Sequence, residues 1–272
     1  MTEEQWLAWR DPHALIQSIP YQANNFKALG FTDRRFRLFA VGCVRRVRRL
    51  CTHPLVPIAV DAVERFVDAR TNEDRQRLKV VRGKVFANDA WLRTVEGRLA
   101  RAVVGKEGRH SAVETSWYAG YLVGGVSVQS EDEREEQGPL LRDIFGNPFR
   151  PVAFTPSWLT PTAVGLAEGI YADCAFDRLP ILADALQDAG CEDAEVLGHC
   201  RSDGPHVRGC WVVDGVLGRD ERSGGAKPRR RSAYFTRYSN FSRNWSGVSF
   251  TVSASFFSLA GSEKSVASRR IM

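Results

Sequence analysis

The most constraining feature of the sequence is a run of helix start and stop signals between Pro139 and Gly218. Thr160-Pro161 places a hydroxyl cap before a proline at the first helical position, where the missing N–H group costs nothing. Asp177 is the next predicted N-cap, and Gly190 has the position of a glycine that ends a helix. Apolar residues recur at helical spacing between these signals. The segment is therefore predicted to form several short helices joined by short connections.

The whole chain, read in the same way, predicts an all-α protein: a compact array of about eight to ten short helices with a disordered C-terminal tail. The predicted divisions are an N-terminal helical region at 1–123, an acidic, glycine-containing linker at 124–138, a helical module at 139–218 and a tail at 219–272. The tail is basic and rich in serine, which is typical of disorder. Its basic and aromatic residues could also contact nucleic acid, and a third interpretation is that the segment arises from an altered reading frame or from read-through.

Charge is distributed unevenly along the chain. The net charge is +6, but residues 219–272 contain 11 basic and 3 acidic residues, so residues 1–218 carry a net charge of −2. The basic balance is therefore a property of the tail and does not by itself indicate a nucleic-acid-binding body. The N-terminus lacks the pattern of a signal peptide, and six cysteines in 272 residues are too few for a disulfide scaffold. We expect reduced thiols, a cytoplasmic location and no membrane partner.

An arginine-rich amphipathic helix is predicted within residues 32–51. Its basic face suggests contact with nucleic acid or with an acidic partner. The candidate contacts are Arg45, Arg46, Arg48 and Arg49. The other interpretation is a solvated face that pairs with acidic residues of the following helix: Asp61, Glu64 and Asp68.

Cysteine and histidine residues gather between positions 191 and 210. Thiolate and imidazole groups are zinc ligands, and His206 and Cys210 would share one face of a helix because they are four residues apart. The candidate metal ligands are Cys191, Cys200, His206 and Cys210. His199 belongs to the same cluster, but adjacent residues on a helix point about 100° apart, so His199 and Cys200 would diverge. The alternatives are small core cysteines or a nucleophilic cysteine beside a histidine.

Other polar residues give weaker signals. Asp173 with Asp177, and Asp184 with Asp188, are carboxylate pairs at helical spacing, which could bind a cation or form a solvated acidic face. Arg150 could bind a ligand anion or join two helices. The sequence contains no glycine-rich phosphate loop, no nucleophile elbow and no HExxH motif. These observations indicate no particular reaction.

The segments LLRDIFGNPFRPV (140–152), WLTPTAV (158–164), IYADCAFDRLPILADALQDAGC (170–191) and HCRSDGPHVRGCWVVDGVLG (199–218) resemble the C-terminal module of a large, highly paralogous family of uncharacterised bacterial proteins. TEEQWLAWRDP (2–12) and RRFRLFAVGCVRRV (34–47) resemble that family's opening. The segment FDRLPILADALQDAG is also loosely similar to the "RLxxADWLEExG" motif of a bacterial repeat-companion domain. The resemblance implies a domain without implying any catalytic or binding residue, and the residues after Gly218 depart from the family's usual pattern.

Together these features predict an intracellular helical interaction or scaffold module without enzymatic activity, which binds a protein partner. One alternative is nucleic-acid association through the Arg34–Arg49 helix and the tail. A second is a small zinc-binding module around residues 191–210, and a third is an enzyme. No cofactor other than zinc is expected.

Overall fold

The computed structural model describes residues 2–19, 30–68, 71–125 and 128–219, which all belong to one compact unit. Within these residues the chain forms α-helices and short 3-10 helices and no strand, so the all-α prediction is confirmed. Apart from Arg219, the predicted tail lies outside the described residues. Among the described helices, none combines the length and the hydropathy that a membrane span requires.

Thirteen α-helices are present in the described residues, more than the eight to ten that the periodicity predicts: α1 Glu3–Ala8, α2 Pro12–Ser18, α3 Asp33–Arg46, α4 Leu55–Asp68, α5 Asn72–Phe86, α6 Asp89–Leu92, α7 Val95–Val103, α8 Gly108–Gly124, α9 Glu131–Phe145, α10 Pro161–Asp173, α11 Leu179–Asp188, α12 Ala194–Cys200 and α13 Trp211–Val216. Two 3-10 helices cover Arg48–Leu50 and Phe176–Arg178.

Helix α3 lies at the centre of the larger of two buried apolar clusters, which we call the first core. Thr32 caps this helix, since its hydroxyl accepts a hydrogen bond from the backbone N–H of Arg35 at 3.3 Å. Helices α4, α7, α8 and α9 pack around it. Every residue from Arg35 to Val44 is therefore buried, and α3 is not the half-solvated helix that its sequence pattern predicts.

Helix α9 occupies much of the segment predicted to be a linker. Ser130 starts it by accepting a hydrogen bond from the backbone N–H of Glu133 at 3.2 Å. The side chain of Glu133 is buried and contacts Arg46 of α3, with Nε to Oε1 at 3.2 Å. Gln137 and Gly138 are buried as well. Residues 131–138 are therefore part of a packed helix rather than a linker, because the acidic run finds an arginine partner that lies far away in sequence.

The second core contains the buried residues of α10 to α13. The division between the two cores falls after Phe145, the last buried residue of the first core, and before Ala163, the first of the second. The predicted boundary at 124–138 is therefore displaced, because α9 packs against α2, α3 and α8 of the first core and also contacts α13 of the second. Helix α9 ends at its C-cap Gly146, which has a φ of 64°. A side chain at this position would meet the ring of Trp211 of α13 at 3.1 Å, so a glycine suits the close approach between the two helices.

The helix signals of the second core are mostly realised. Thr160 caps α10, and Gly190 follows α11 in the left-handed region with a φ of 85°. Asp177 is not an N-cap, because the 3-10 turn Phe176–Arg178 continues directly into α11 without a side-chain cap. The last helix is shorter than predicted, and a loop precedes it, at residues 201–210.

Candidate metal centre

Four side chains that can bind a metal converge where the two cores meet: Asp143, His199, His206 and Cys210. One potential ligand atom from each residue lies within 4.8 Å of those of the other three. Asp143 belongs to α9 of the first core, whereas the other three come from α12, the 201–210 loop and the N-cap of α13. The cluster therefore joins chain segments that are more than 50 residues apart.

Three of the distances between the ligand atoms are slightly shorter than those of a tetrahedral zinc site, and all the ligand atoms lie within 4.8 Å of one another. Asp143 Oδ1 lies 2.8 Å from Nδ1 of His206 and 3.1 Å from Nε2 of His199. That Nε2 atom lies 3.2 Å from Sγ of Cys210. With zinc bonds of about 2.0 Å to oxygen or nitrogen and about 2.3 Å to sulfur, neighbouring ligand atoms would be about 3.3 to 3.6 Å apart. Shifts of about 1 Å or less would therefore bring the four atoms to zinc-binding distances.

Hydrogen bonds to backbone groups orient two of the ligands, Asp143 and His206, towards the cluster. Asp143 Oδ2 accepts a hydrogen bond from the backbone N–H of Val207 at 3.0 Å, which leaves Oδ1 facing the cluster. His206 Nε2 lies 3.1 Å from the carbonyl oxygen of Ser202, so Nδ1 faces the cluster. Histidine ligands of metals usually donate their other N–H group in this way, and such contacts fix the orientation of the ring.

The loop that carries His206 is shaped by a glycine next to Cys210. Gly209 has a φ of 100°, and a side chain there would meet Leu38 of α3 at 2.7 Å. The backbone N–H of Cys210 donates to the carbonyl of Val207 at 2.9 Å. His206 and Cys210 thus approach one another through a tight turn and not along a helix face, as their spacing had predicted.

The protonation states in the metal-free site follow from burial and from the shared carboxylate. Burial alone would raise the pKa of Asp143, but hydrogen bonds from His199 and His206 outweigh it and lower that pKa. Burial opposes charge on His206 too, yet the hydrogen bond to Asp143 raises its pKa. Burial raises the pKa of the Cys210 thiol well above its usual value, although backbone N–H groups of Val212 and Val213 oppose this. The metal-free site therefore holds a carboxylate and a neutral thiol.

A hydrolase-like triad of Ser202, His206 and Asp143 is not supported by the contacts. Both ring nitrogens of His206 face acceptors, since Nδ1 faces Asp143 and Nε2 faces the Ser202 carbonyl. A histidine that donates at both nitrogens has no lone pair with which to accept the serine proton. The Ser202 hydroxyl is 3.5 Å from Nε2 and instead donates to the carbonyl of His199 at 2.8 Å.

Two of the four predicted ligands belong to this cluster and two do not. His206 and Cys210 contribute, whereas Cys191 and Cys200 are buried in the second core outside the group. Cys200 is excluded by helix geometry, because its neighbour His199 points into the cluster from α12. His199 is not among the ligands predicted from sequence, although it belongs to the predicted cysteine and histidine cluster, and neither is Asp143. The sequence does contain a signal for Asp143: it lies among apolar residues on the buried face of a helix. A carboxylate there is costly unless it has a partner, so its position indicates that one is present.

Each of the other predicted polar sites contributes one residue to an ion pair on the protein surface. Arg150 is exposed and contacts Glu3 at 2.7 Å. Asp184, one member of a predicted carboxylate pair, contacts Arg201 at 2.8 Å. Asp173 of the other pair contacts Arg178 at 3.7 Å. These arrangements are ordinary surface ion pairs, which contribute little to stability.

Three of the four predicted nucleic-acid contacts have hydrogen-bond partners within the protein, although Arg45 and Arg48 remain exposed. Arg45 makes two hydrogen bonds to Glu64, at 2.8 and 2.7 Å, and Arg46 contacts Glu133. Arg48 donates to the carbonyl of Cys51 at 2.9 Å. Arg49 is exposed. The alternative interpretation, in which these arginines pair with acidic residues of the next helix, is thus realised by the contact between Arg45 and Glu64. Nucleic-acid binding stays a prediction.

Comparison of the chain with protein-family models, with curated proteins and with solved structures finds no match. The resemblance to a paralogous bacterial family therefore stays a prediction. The assignment of a function rests on the geometry of the site.

Proposed function

We propose that this protein is a zinc-binding helical module in which Asp143, His199, His206 and Cys210 bind one zinc ion. The observation that carries the proposal is the convergence of four potential ligand atoms within 4.8 Å of one another. The backbone contacts behind Asp143 and His206 support it, since they orient the two side chains as ligands.

The donor set favours zinc over other common metals. Calcium and magnesium prefer shells made only of oxygen atoms, whereas two imidazoles, one thiolate and one carboxylate suit zinc. Four protein ligands complete a tetrahedral shell and leave no position for a substrate. Asp143 and Cys210 are buried, and the side chains of His199 and His206 are 18% and 8% exposed. We therefore propose a structural zinc ion rather than a catalytic one.

The proposal includes a reducing, cytoplasmic location, in which Cys210 stays available as a thiol. It also retains the role of an interaction module that binds a protein partner. Zinc would stabilise the folded form of such a module, and binding would release the thiol proton of Cys210 and a proton from His206.

The test is titration of metal-free full-length protein with Co²⁺, which replaces zinc and reports its ligands by absorption. We expect one Co²⁺ per chain, with visible bands of a tetrahedral ion and a near-ultraviolet thiolate band. Zinc should displace the Co²⁺ stoichiometrically. Less than about 0.1 equivalents of tightly bound metal, measured at pH 7 where zinc sites of this type bind strongly, would refute the proposal.

The ligand assignment is tested by matched cysteine substitutions. Cys210→Ser should abolish the thiolate band, whereas Cys191→Ser and Cys200→Ser, at two equally buried cysteines of the same core, should retain it. Loss of the band in Cys191→Ser or Cys200→Ser, with retention in Cys210→Ser, would favour the ligand set predicted from sequence over the one proposed here.

A further inference from the structure

A second polar cluster joins the two cores, and it contains no ligand of the proposed metal site. Arg34 of α3 forms an ion pair with Asp214 of α13, in which the two terminal guanidinium nitrogens, Nη1 and Nη2, contact the carboxylate. Its Nη2 atom also lies 2.9 Å from the hydroxyl of Tyr171 of α10 and 3.2 Å from Asp68 of α4. The Asp214 side chain is fully buried and that of Arg34 is 10% exposed. Helix α13 is therefore tied to the first core by a desolvated ion pair.

The two polar clusters are connected through one turn of α13. Cys210 is the N-cap of this helix, and its carbonyl accepts a hydrogen bond from the backbone N–H of Asp214 at 2.9 Å. Cys210 faces Asp143 and the two histidines, whereas Asp214 faces Arg34. The same short helix thus presents one ligand of the metal site and, four residues later, the group that fixes its position on α3.

We propose that the metal fastens the second core to the first, and that Arg34 is a positioning residue for the metal site. This inference rests on the proposed zinc binding. Asp143 lies on α9, whereas the other three ligands come from α12, the 201–210 loop and the N-cap of α13, so the four atoms lie together only while these segments are packed on α9. If only the docked form binds the metal, the apparent metal affinity falls in proportion to the docked fraction of the metal-free protein, and metal binding in turn shifts the protein towards the docked form.

The test measures zinc affinity of metal-free full-length variants by competition with a chromophoric chelator. Arg34→Met should lower the affinity about tenfold or more, although Arg34 is not a ligand. Arg45→Met is the control, since Arg45 also makes two hydrogen bonds to a buried carboxylate, but it is half-exposed and its partner Glu64 lies on α4 of the first core. Its affinity should stay within about twofold of the parent protein.

Hydrogen exchange supplies a readout that a local loss of stability would not give. Zinc should slow exchange of the α10–α12 amides in Arg34→Met more than in the parent protein, and should change the α7 and α8 amides little. Failure of the parent protein to bind metal would refute the zinc proposal itself. Tight binding by the parent with equal affinities for Arg34→Met and Arg45→Met would overturn only the coupling.

Two further variants, which leave Arg34 in place, keep the test decisive if Arg34→Met loses its first-core amide protection. Tyr171→Phe removes only the hydroxyl that contacts Arg34 and Asp68. Asp214→Asn retains the shape of the side chain and removes its charge. Both should lower zinc affinity in the same direction as Arg34→Met. Unchanged affinity in both variants would also overturn the coupling.

Discussion

Substituting Glu133 distinguishes most directly between the linker predicted from sequence and the packed helix. The side chain of Glu133 is 8% exposed and accepts hydrogen bonds from Arg46 at 3.2 and 3.4 Å and from Gln137 at 3.1 Å. Glu136 lies one turn further along α9, contacts Arg46 only at 3.6 Å and is 63% exposed. On a surface linker, alanine at either position would change the free energy of unfolding by less than about 0.5 kcal/mol.

The expected cost of Glu133→Ala follows from the contacts that it removes. The charge-assisted contact to Arg46 contributes about 1.5 kcal/mol, at the low end of the range because Arg46 is partly exposed and keeps Glu136. The hydrogen bond from Gln137 contributes about 1 kcal/mol. We therefore expect a loss of about 2.5 kcal/mol, which lowers the Tm by about 5–10 °C for a folded region of this size.

Urea unfolding followed by far-ultraviolet circular dichroism measures this loss. Glu136→Ala should cost less than about 0.5 kcal/mol, as expected for an exposed ion pair. Asp132→Ala, at an exposed residue in the first turn of α9, measures the contribution of helix-dipole charge separately. Equal losses in Glu133→Ala and Glu136→Ala would refute the argument that burial and bonding distinguish the two carboxylates.

Two further predictions concern titratable side chains. In native metal-free protein, one thiol of the six should react rapidly with a disulfide reagent, because Cys174 is exposed and the other five cysteines are buried. Peptide mapping identifies the thiol that reacts. Fast reaction of Cys200 or Cys210 would contradict the packing of the second core. The hydrogen bond to Glu114 is the main cause that raises the pKa of His110 above its usual value of 6.5. Glu114→Gln should therefore lower that pKa in an NMR titration. Because a raised pKa stabilises the fold at low pH, the part of the stability loss that depends on His110 should be present below pH 6.5 and should vanish as the pH rises through the folded pKa, whereas the loss of the Arg101–Glu114 ion pair should not depend on pH in this range. An unchanged His110 titration would contradict this contact.

Part of the site was visible in the sequence. His206 and Cys210 were predicted because their residue types and spacing suit a metal. Cys191 and Cys200 were grouped with them because they lie close in sequence, yet they belong to the interior of the second core. The buried-face position of Asp143 marks it as a carboxylate that needs a partner, but the sequence does not name that partner, since His206 lies 63 residues away and only packing brings the two together.

What the sequence by itself determined is local. The cap at Thr160, the left-handed turn at Gly190 and the helical periodicity depend on residues within one or two turns, so they establish an all-α chain. What only the tertiary structure decided is which charges meet. The acidic residues of α9 and the arginines of α3 resemble solvated faces in sequence, but Glu133 is buried against Arg46. The pairing of Asp143 with two histidines likewise depends on the docking of two cores, because desolvation makes each buried charge depend on a partner that is distant along the chain.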